Sequence, residues 1–439
     1  MKNLFIKLYL SYIRYFARIQ LKKINPVIIG IGGASGKTST ALLIGKILGS
    51  KFNIKEGKGK NSETGIPLNI LDIDIDNYTL KEWFKVLFLA PLRVITNNKK
   101  YDFLVLEMGI DSPKPPKNME YLLSIVNPNI GVLTNIDIEH SLNFDNLIKE
   151  EDESKRKEQI LNLTSKEEGL LLKSIDSNGT SIVNLDDKNI ASLLPLKSKV
   201  VTISANDKNA DFYISNIQVS ENGFNINFIF LKDHYILNID KPLPKYFAYS
   251  LMEAVAVAFV CKFNINEAIK LTQENFSLPP GRFSIFEGIK DTTIIDSSYN
   301  SSLNAAKGAI EIIKQIKAGR KVGILGDMRE LGTLGRVQHV ELAKVIIKNL
   351  DYAILIGPLM GEYVKPVLEK SNFPFKHFET FKEAKEILEN EIRRGDIVLV
   401  KGSQNTLYLE RAVEMLLKDK KDEQLLPRRG NYWNKKRRQ

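Results

Sequence analysis

Residues 28–40, IIGIGGASGKTST, constrain this chain most. An apolar run fit for a buried strand breaks into a loop holding Gly30, Gly32, Gly33 and Gly36, and Lys37, Thr38 and Ser39 then open a helix. Backbone N–H groups of a tight glycine turn, joined to a helix N-terminus, form an anion site. In that setting Lys37 reaches the β- and γ-phosphates of a nucleotide, and the Thr38 hydroxyl takes Mg²⁺. The strict motif has glycine five residues before Gly36; Ile31 stands there, with glycines on both sides of it. The same segment dictates a fold class, because a buried strand feeding a helix packs into an open α/β sheet.

The rest of the chain repeats that grammar. VIIGIG, FLVLEMG, IGVLTNI and GTSIVNL read as strands, and TSTALLIGKIL as a helix between them. From residue 200 to about 242 polar and apolar residues alternate around an Asn-Gly turn, which predicts a small antiparallel section. FSLPPGRFSIFEG marks a boundary, after which TTIIDSSYN, KVGILGD, YAILIG and DIVLVKGS supply strands for a second unit. The expected class is α/β. Residues 1–25 form a basic amphipathic helix and residues 26–279 a phosphate-loop domain with a mainly parallel sheet. Residues 280–418 form a Rossmann-like α/β domain, and 419–439 a basic disordered tail.

Charge is unevenly placed. The chain carries a net +11, has no acidic residue before Glu56 and ends RRGNYWNKKRRQ. Such ends suit an anionic membrane, a polyanionic substrate or nucleic acid. No recognition element beyond charge accompanies them, so nucleic acid is not an expected partner. The single cysteine, Cys261, excludes an intrachain disulfide framework and a cysteine-cluster metal site, and fits a reducing cytoplasm. Within residues 1–24, Asn3, Lys7, Ser11, Arg14, Arg18 and Lys22 recur at helical spacing as one polar stripe, with Leu, Ile, Phe and Tyr around the remainder. The charges disqualify it as a membrane span. Two readings stay open: a helix lying peripherally on the inner membrane face, or one docked on protein.

Two residues point to metal chemistry. Glu107 ends an apolar strand, where a carboxylate is costly unless paired or ligating, and His140 follows the strand VLTNIDIE. Taken singly, each has an ordinary structural use. Taken with the loop, they read as Mg²⁺ ligands.

At this point the chain resembles the Mur ligase family. GIGGASGKTST, NSETGIPLNIL, LVLEMG, VLTNIDIEH, SIVNLDD, IIDSSYN, GILGDMRELG and VLVKGS occur in the order and spacing of that family, over about residues 26–417. The resemblance implies an ATP-dependent, ADP-forming amide ligase of cell-wall precursor synthesis. ATP phosphorylates a carboxylate to an acyl phosphate, and the amine of an amino acid, or of a dipeptide such as D-alanyl-D-alanine, displaces phosphate. It implies ATP and Mg²⁺ as cofactors and a muramoyl-peptide-like carboxylate as substrate. Thr38, Glu107 and His140 match metal-binding positions, while Gly33, Gly36, Lys37, Ser39 and Asn61 match the phosphate site. Lys157 matches a lysine that is carbamylated in the family, with Lys155 the alternative. Arg282, Asp296, Tyr299 and Asn300 match nucleotide contacts, and Lys401 and Ser403 lie where the family receives the amine. The implied catalytic residues are Lys37, His140 and Lys157.

The departures are specific. Ser297 replaces the second of two aspartates, and Tyr246, Phe247 and Ser250 stand where the family places a histidine and two asparagines near the adenine. The expected UDP-binding domain ahead of the loop is represented by one helix, which leaves open whether the acceptor is UDP-linked, lipid-linked or an amino-acid polymer. A non-catalytic nucleotide-binding scaffold is the contrasting reading.

Overall fold

The computed structural model describes all residues except 1, 58, 76–78, 140, 222, 318, 404–406 and 438–439. The chain divides into two compact units, one made of Met1–Ile217, Asn225–Asn238 and Phe247–Ser277, the other of Gln218–Phe224, Ile239–Tyr246 and Leu278–Gln439.

The first unit is built on β1 (Val27–Gly32), β2 (Ile54–Glu56), β3 (Phe103–Glu107), β4 (Ile130–Leu133), β5 (Thr180–Asn184), β6 (Lys199–Ser204) and most of β7 (Phe212–Ser220), β8 (Gly223–Phe230) and β9 (Asp233–Ile239). These form one sheet in the order β2-β3-β1-β4-β5-β6-β7-β8-β9. The ladders from β2 to β7 are parallel. β8 and β9 are neighbours joined by two residues, a connection only antiparallel strands allow. The joining residues, Leu231 and Lys232, have φ of 49° and 74°, a left-handed turn made without glycine and hence invisible to turn-residue composition. An antiparallel section is present there, as expected, while Asn222 of the expected Asn-Gly turn lies outside the described residues.

β1 sits inside the sheet because it is apolar on both faces; Ile28 is buried on one and Ile29 and Ile31 on the other. Register brings Ile31 opposite Glu107 and Gly32 opposite Leu133, so the glycine loop, the end of β3 and the exit of β4 share the carboxyl edge of the sheet. The helix Lys37–Leu48 packs against Phe247–Val260, whose Ser250 lies beside Gly36 and whose Glu253 meets Thr40. Cys261 is buried just beyond, as a small hydrophobe.

The leading helix, Lys2–Ile24, docks on the chain's own fold from Leu10 onward. Leu10, Ile13, Ala17, Gln20 and Ile24 are buried, a stripe spaced by threes and fours. It packs beside helix Leu80–Thr96, with Tyr9 Oη donating to Trp83 O at 3.2 Å, Tyr12 Oη to Leu87 O at 2.7 Å and Lys23 Nζ to Val94 O at 2.7 Å. Partner numbers rise together, so the helices run parallel. Pro91 interrupts the second helix and has no N–H for the Leu87 carbonyl; Tyr12 supplies the missing donor. Among the described residues, no helix is long and apolar enough to cross a membrane.

The second unit holds β10 (Ser284–Glu287), β11 (Thr293–Ser297), β12 (Lys321–Gly326), β13 (Tyr352–Ile356), β14 (Phe375–Phe378) and β15 (Ile397–Lys401), in the order β10-β11-β15-β12-β13-β14. Only β10–β11 is antiparallel. The last strand inserts between β11 and β12, placing Lys401 opposite Ser297 on one side and Leu325 on the other.

The basic tail departs from the disorder its composition predicts. A 3₁₀ turn spans Lys420–Leu425, Leu426 is 2% exposed and Arg428 is 7% exposed. Leu426 joins the apolar core of the unit, and Arg428 Nη1 lies 2.7 Å from Glu410 Oε2, both side chains of the pair being almost fully buried.

Candidate active site

The loop after β1 takes its shape from two left-handed glycines, Gly33 with φ 116° and Gly36 with φ 85°. A Cβ at Gly33 would lie 2.3 Å from Thr134 Oγ1, so only glycine fits there. The exit of β4 braces the loop from outside. Thr134 Oγ1 donates to Ser35 O at 2.6 Å, Asn135 Oδ1 accepts from Ser35 N–H at 2.9 Å, and Asn135 O accepts from Ala34 N–H at 3.0 Å. Lys37 folds back over the loop, its Nζ donating to the Gly33 carbonyl and to Ala34 O at 2.9 Å. Ser39, the next helical residue but one, is buried.

Thr38 and Glu107 meet. Thr38 Oγ1 donates to Glu107 Oε2 at 2.9 Å, joining the first turn of the helix to the end of β3. Asn61 lies alongside: its carbonyl accepts from Gly109 N–H at 3.0 Å, and its side chain packs on the Gly109 backbone just past Glu107. Thus Gly33, Gly36, Lys37, Thr38, Ser39, Asn61 and Glu107 form one cluster at the carboxyl edge, where open α/β sheets bind ligands. His140 lies outside the described residues. Lys155 and Lys157 are exposed on helix Glu153–Glu168, and among the described residues no hydrogen bond ties either side chain to the cluster.

Two buried carboxylates here escaped sequence reasoning. Glu168 is 4% exposed, and its Oε2 accepts from Gly33 N–H at 3.0 Å. Glu253 is 1% exposed beneath the loop helix, where Thr40 Oγ1 donates to its Oε2 at 3.2 Å and its Oε1 has no partner among the described residues. Burial pushes the Glu253 carboxyl up to about 8, with the Thr40 bond opposing only weakly. Both sit in stretches, KEEG and SLMEA, that read as ordinary helix. Ser250, one turn before Glu253, lies beside Gly36.

In the second unit, Arg282, Asp296, Tyr299, Asn300, Lys401 and Ser403 gather at the carboxyl ends of β11, β15 and β12. The Arg282 and Arg428 guanidinium carbons stand 4.8 and 5.0 Å from the Tyr299 ring centre, cation–π distances. Asp296 is fully buried; burial raises its carboxyl to about 6, against a hydrogen bond from Ser298, and its Oδ2 has no partner among the described residues. Lys401, 3% exposed, donates to Asn300 O at 2.9 Å and to Ser297 Oγ at 3.4 Å. Ser403 Oγ donates to Ser301 O at 3.4 Å and accepts from Arg329 N–H at 3.0 Å. Arg428 and Glu410 are the residues missed here. Arg428 is one of two adjacent arginines in a basic run, and Glu410 opens an ordinary helix, so neither stood out in the sequence.

A glycine anion loop with its own lysine, a hydroxyl bonded to a carboxylate at its rim and a second α/β unit define a phosphate-using α/β enzyme. Comparison makes the class specific. The Mur ligase middle domain matches residues 31–258, and the Mur ligase glutamate ligase domain matches residues 281–404. The chain belongs to the Mur ligase family. It is 28% identical over 402 residues to the UDP-N-acetylmuramoyl-tripeptide–D-alanyl-D-alanine ligase of Buchnera aphidicola, covering 90% of this chain and 76% of that one. In fold it matches MurF from Acinetobacter baumannii with a TM-score of 0.73, 18% identity and coverage of 93% and 80%. It also matches MurF from Thermotoga maritima in complex with ADP, with a TM-score of 0.69, 21% identity and coverage of 94% and 84%.

Proposed function

We propose that this chain is an ATP-dependent, ADP-forming ligase that joins D-alanyl-D-alanine, or a similar amino acid or dipeptide, to the carboxylate of a muramoyl-peptide precursor. The observation that carries the reading is the Thr38–Glu107 bond beside the Gly33–Gly36 loop and Lys37. The carboxylate attacks the γ-phosphorus, ADP departs, and the acyl phosphate is opened by the amine with loss of phosphate and a proton. Nearly all the catalysis in such a sequence is positioning and charge stabilisation. Lys37, now bonded to loop carbonyls, exchanges them for phosphate oxygens when nucleotide enters.

The donor set suits Mg²⁺, a hard cation that takes oxygen ligands. Thr38 Oγ1 and Glu107 Oε2 would hold it, with His140 a further ligand, and bound Mg²⁺ would neutralise charge on the phosphates. Lys157, or Lys155, is the candidate for carbamylation. Arg282, Tyr299 and Asn300 are the candidates for nucleotide contacts, and Asp296 Oδ2, without a partner among the described residues, is a candidate for a ribose hydroxyl. Lys401 and Ser403 act on the amine substrate through the segment 297–301 to which they are bonded. ATP and a nucleotide-linked precursor put the reaction in the cytoplasm.

The test is phosphate release and product mass with ATP, Mg²⁺, UDP-N-acetylmuramoyl-tripeptide and D-alanyl-D-alanine. We expect a product heavier by the dipeptide less water, and Lys37→Ala to lower the rate by about 10²–10³-fold. Nucleotide binding without product would reject this acceptor and turn the search to lipid-linked or amino-acid-polymer acceptors.

A further inference from the structure

We propose that the parallel helix pair Lys2–Ile24 and Leu80–Thr96 is a docking surface for an anionic lipid membrane. The inference is independent of the ligase reading. Along Leu80–Thr96, Leu80, Phe84, Phe88, Leu92 and Ile95 are 78, 56, 76, 51 and 73% exposed. At 100° per residue they fall within an arc of about 120°, an apolar face that Lys81 interrupts only at its first turn, while Val86 and Ala90 turn inward. The first turns of Lys2–Ile24 expose Leu4, Phe5, Ile6 and Leu8. The Tyr9–Trp83 and Tyr12–Leu87 bonds place these turns at the same end of the pair as Leu80 and Phe84. The lipid-facing surface is therefore mainly on the second helix. Most of the leading helix's own apolar face is spent on docking.

Charge selects the occupant. The two helices carry nine basic residues and one acidic residue, Glu82, and that carboxylate is engaged in capping its own helix through Thr79. Lys81 and Lys85 are exposed; at the same spacing Lys81 lies within the apolar arc at its first turn, and Lys85 lies just beyond one edge of it. An apolar face with Phe and Leu, with lysines at its first turn and along one side, matches the interface of an anionic bilayer, where chains bury and headgroups pair. A second copy would bring the same positive field against itself. Contiguous exposed faces of this kind are rare on proteins that work free in solution.

The experiment is co-sedimentation of the full chain with vesicles of phosphatidylcholine alone or mixed with phosphatidylglycerol, at low and high salt. The control variant is Phe84→Ser/Phe88→Ser, shown to be folded by circular dichroism. We expect binding only to the phosphatidylglycerol vesicles, weaker at high salt, and about tenfold or more weaker in the double variant. Absence of binding by the folded chain, equal binding by the variant, or a solution dimer that the variant dissociates would each overturn the proposal. The last would assign the face to a second copy.

Discussion

At the scale of single residues, Glu253 makes the sharpest prediction. Its carboxyl has an ordinary value of 4.5 and is raised by burial to about 8. Below about 4.5 both the folded and the unfolded chain hold the proton, and no penalty arises. Between 4.5 and 8 the fold holds a proton that the unfolded chain has released, so stability falls as pH rises, levelling off above about 8. Glu253→Gln keeps an acceptor for Thr40 and removes the proton linkage. The melting temperature of the wild type should therefore fall relative to Glu253→Gln as pH climbs through that window. Parallel curves would show that the group does not titrate there. Glu253 also marks where sequence reading stops. Lys37, Thr38 and Glu107 were legible because their chemistry demands a loop and a strand end. Glu168 and Glu253 serve the same loop from helices distant in sequence, and only tertiary packing reveals them.

Among the elements, the pairing of Pro91 with Tyr12 carries a testable account of how two helices dock. The proline deprives the Leu87 carbonyl of its helical donor, and the tyrosine hydroxyl of the neighbouring helix replaces it at 2.7 Å. Tyr12→Phe should cost about 1 kcal/mol in urea unfolding by leaving that carbonyl short of a partner. In a Pro91→Ala background the cost should shrink, because that substitution supplies the helical N–H. A full cost in both backgrounds would mean the hydroxyl contributes by packing alone. The same pair shows why elements were more legible than their contacts. The apolar strands and the 3.6-residue stripe of Lys2–Ile24 follow from hydrophobic spacing. Which of two surfaces receives the stripe depends on a second helix 75 residues on from the hydroxyl's helix.

For the whole molecule, the two sheets share no ladder among the described residues, and each unit carries its own core. Such units unfold in separate steps unless a large apolar interface couples them. The tail decides how this is read, because Arg428 belongs to the core of the second unit through its pair with Glu410. Removing one member of a pair that buried leaves an uncompensated charge, at about 3–5 kcal/mol. Arg428→Ala should therefore lower one calorimetric transition by roughly 10 °C for a unit of this size. Replacing both members by Met and Leu should recover most of the loss, since two apolar side chains need no partner. Glu253→Gln should change the pH dependence of the other transition alone. Two variants moving two transitions independently would establish that the tail completes the second unit. A single transition displaced by both would mean that the chain unfolds as one block, and that the buried pair stabilises all of it.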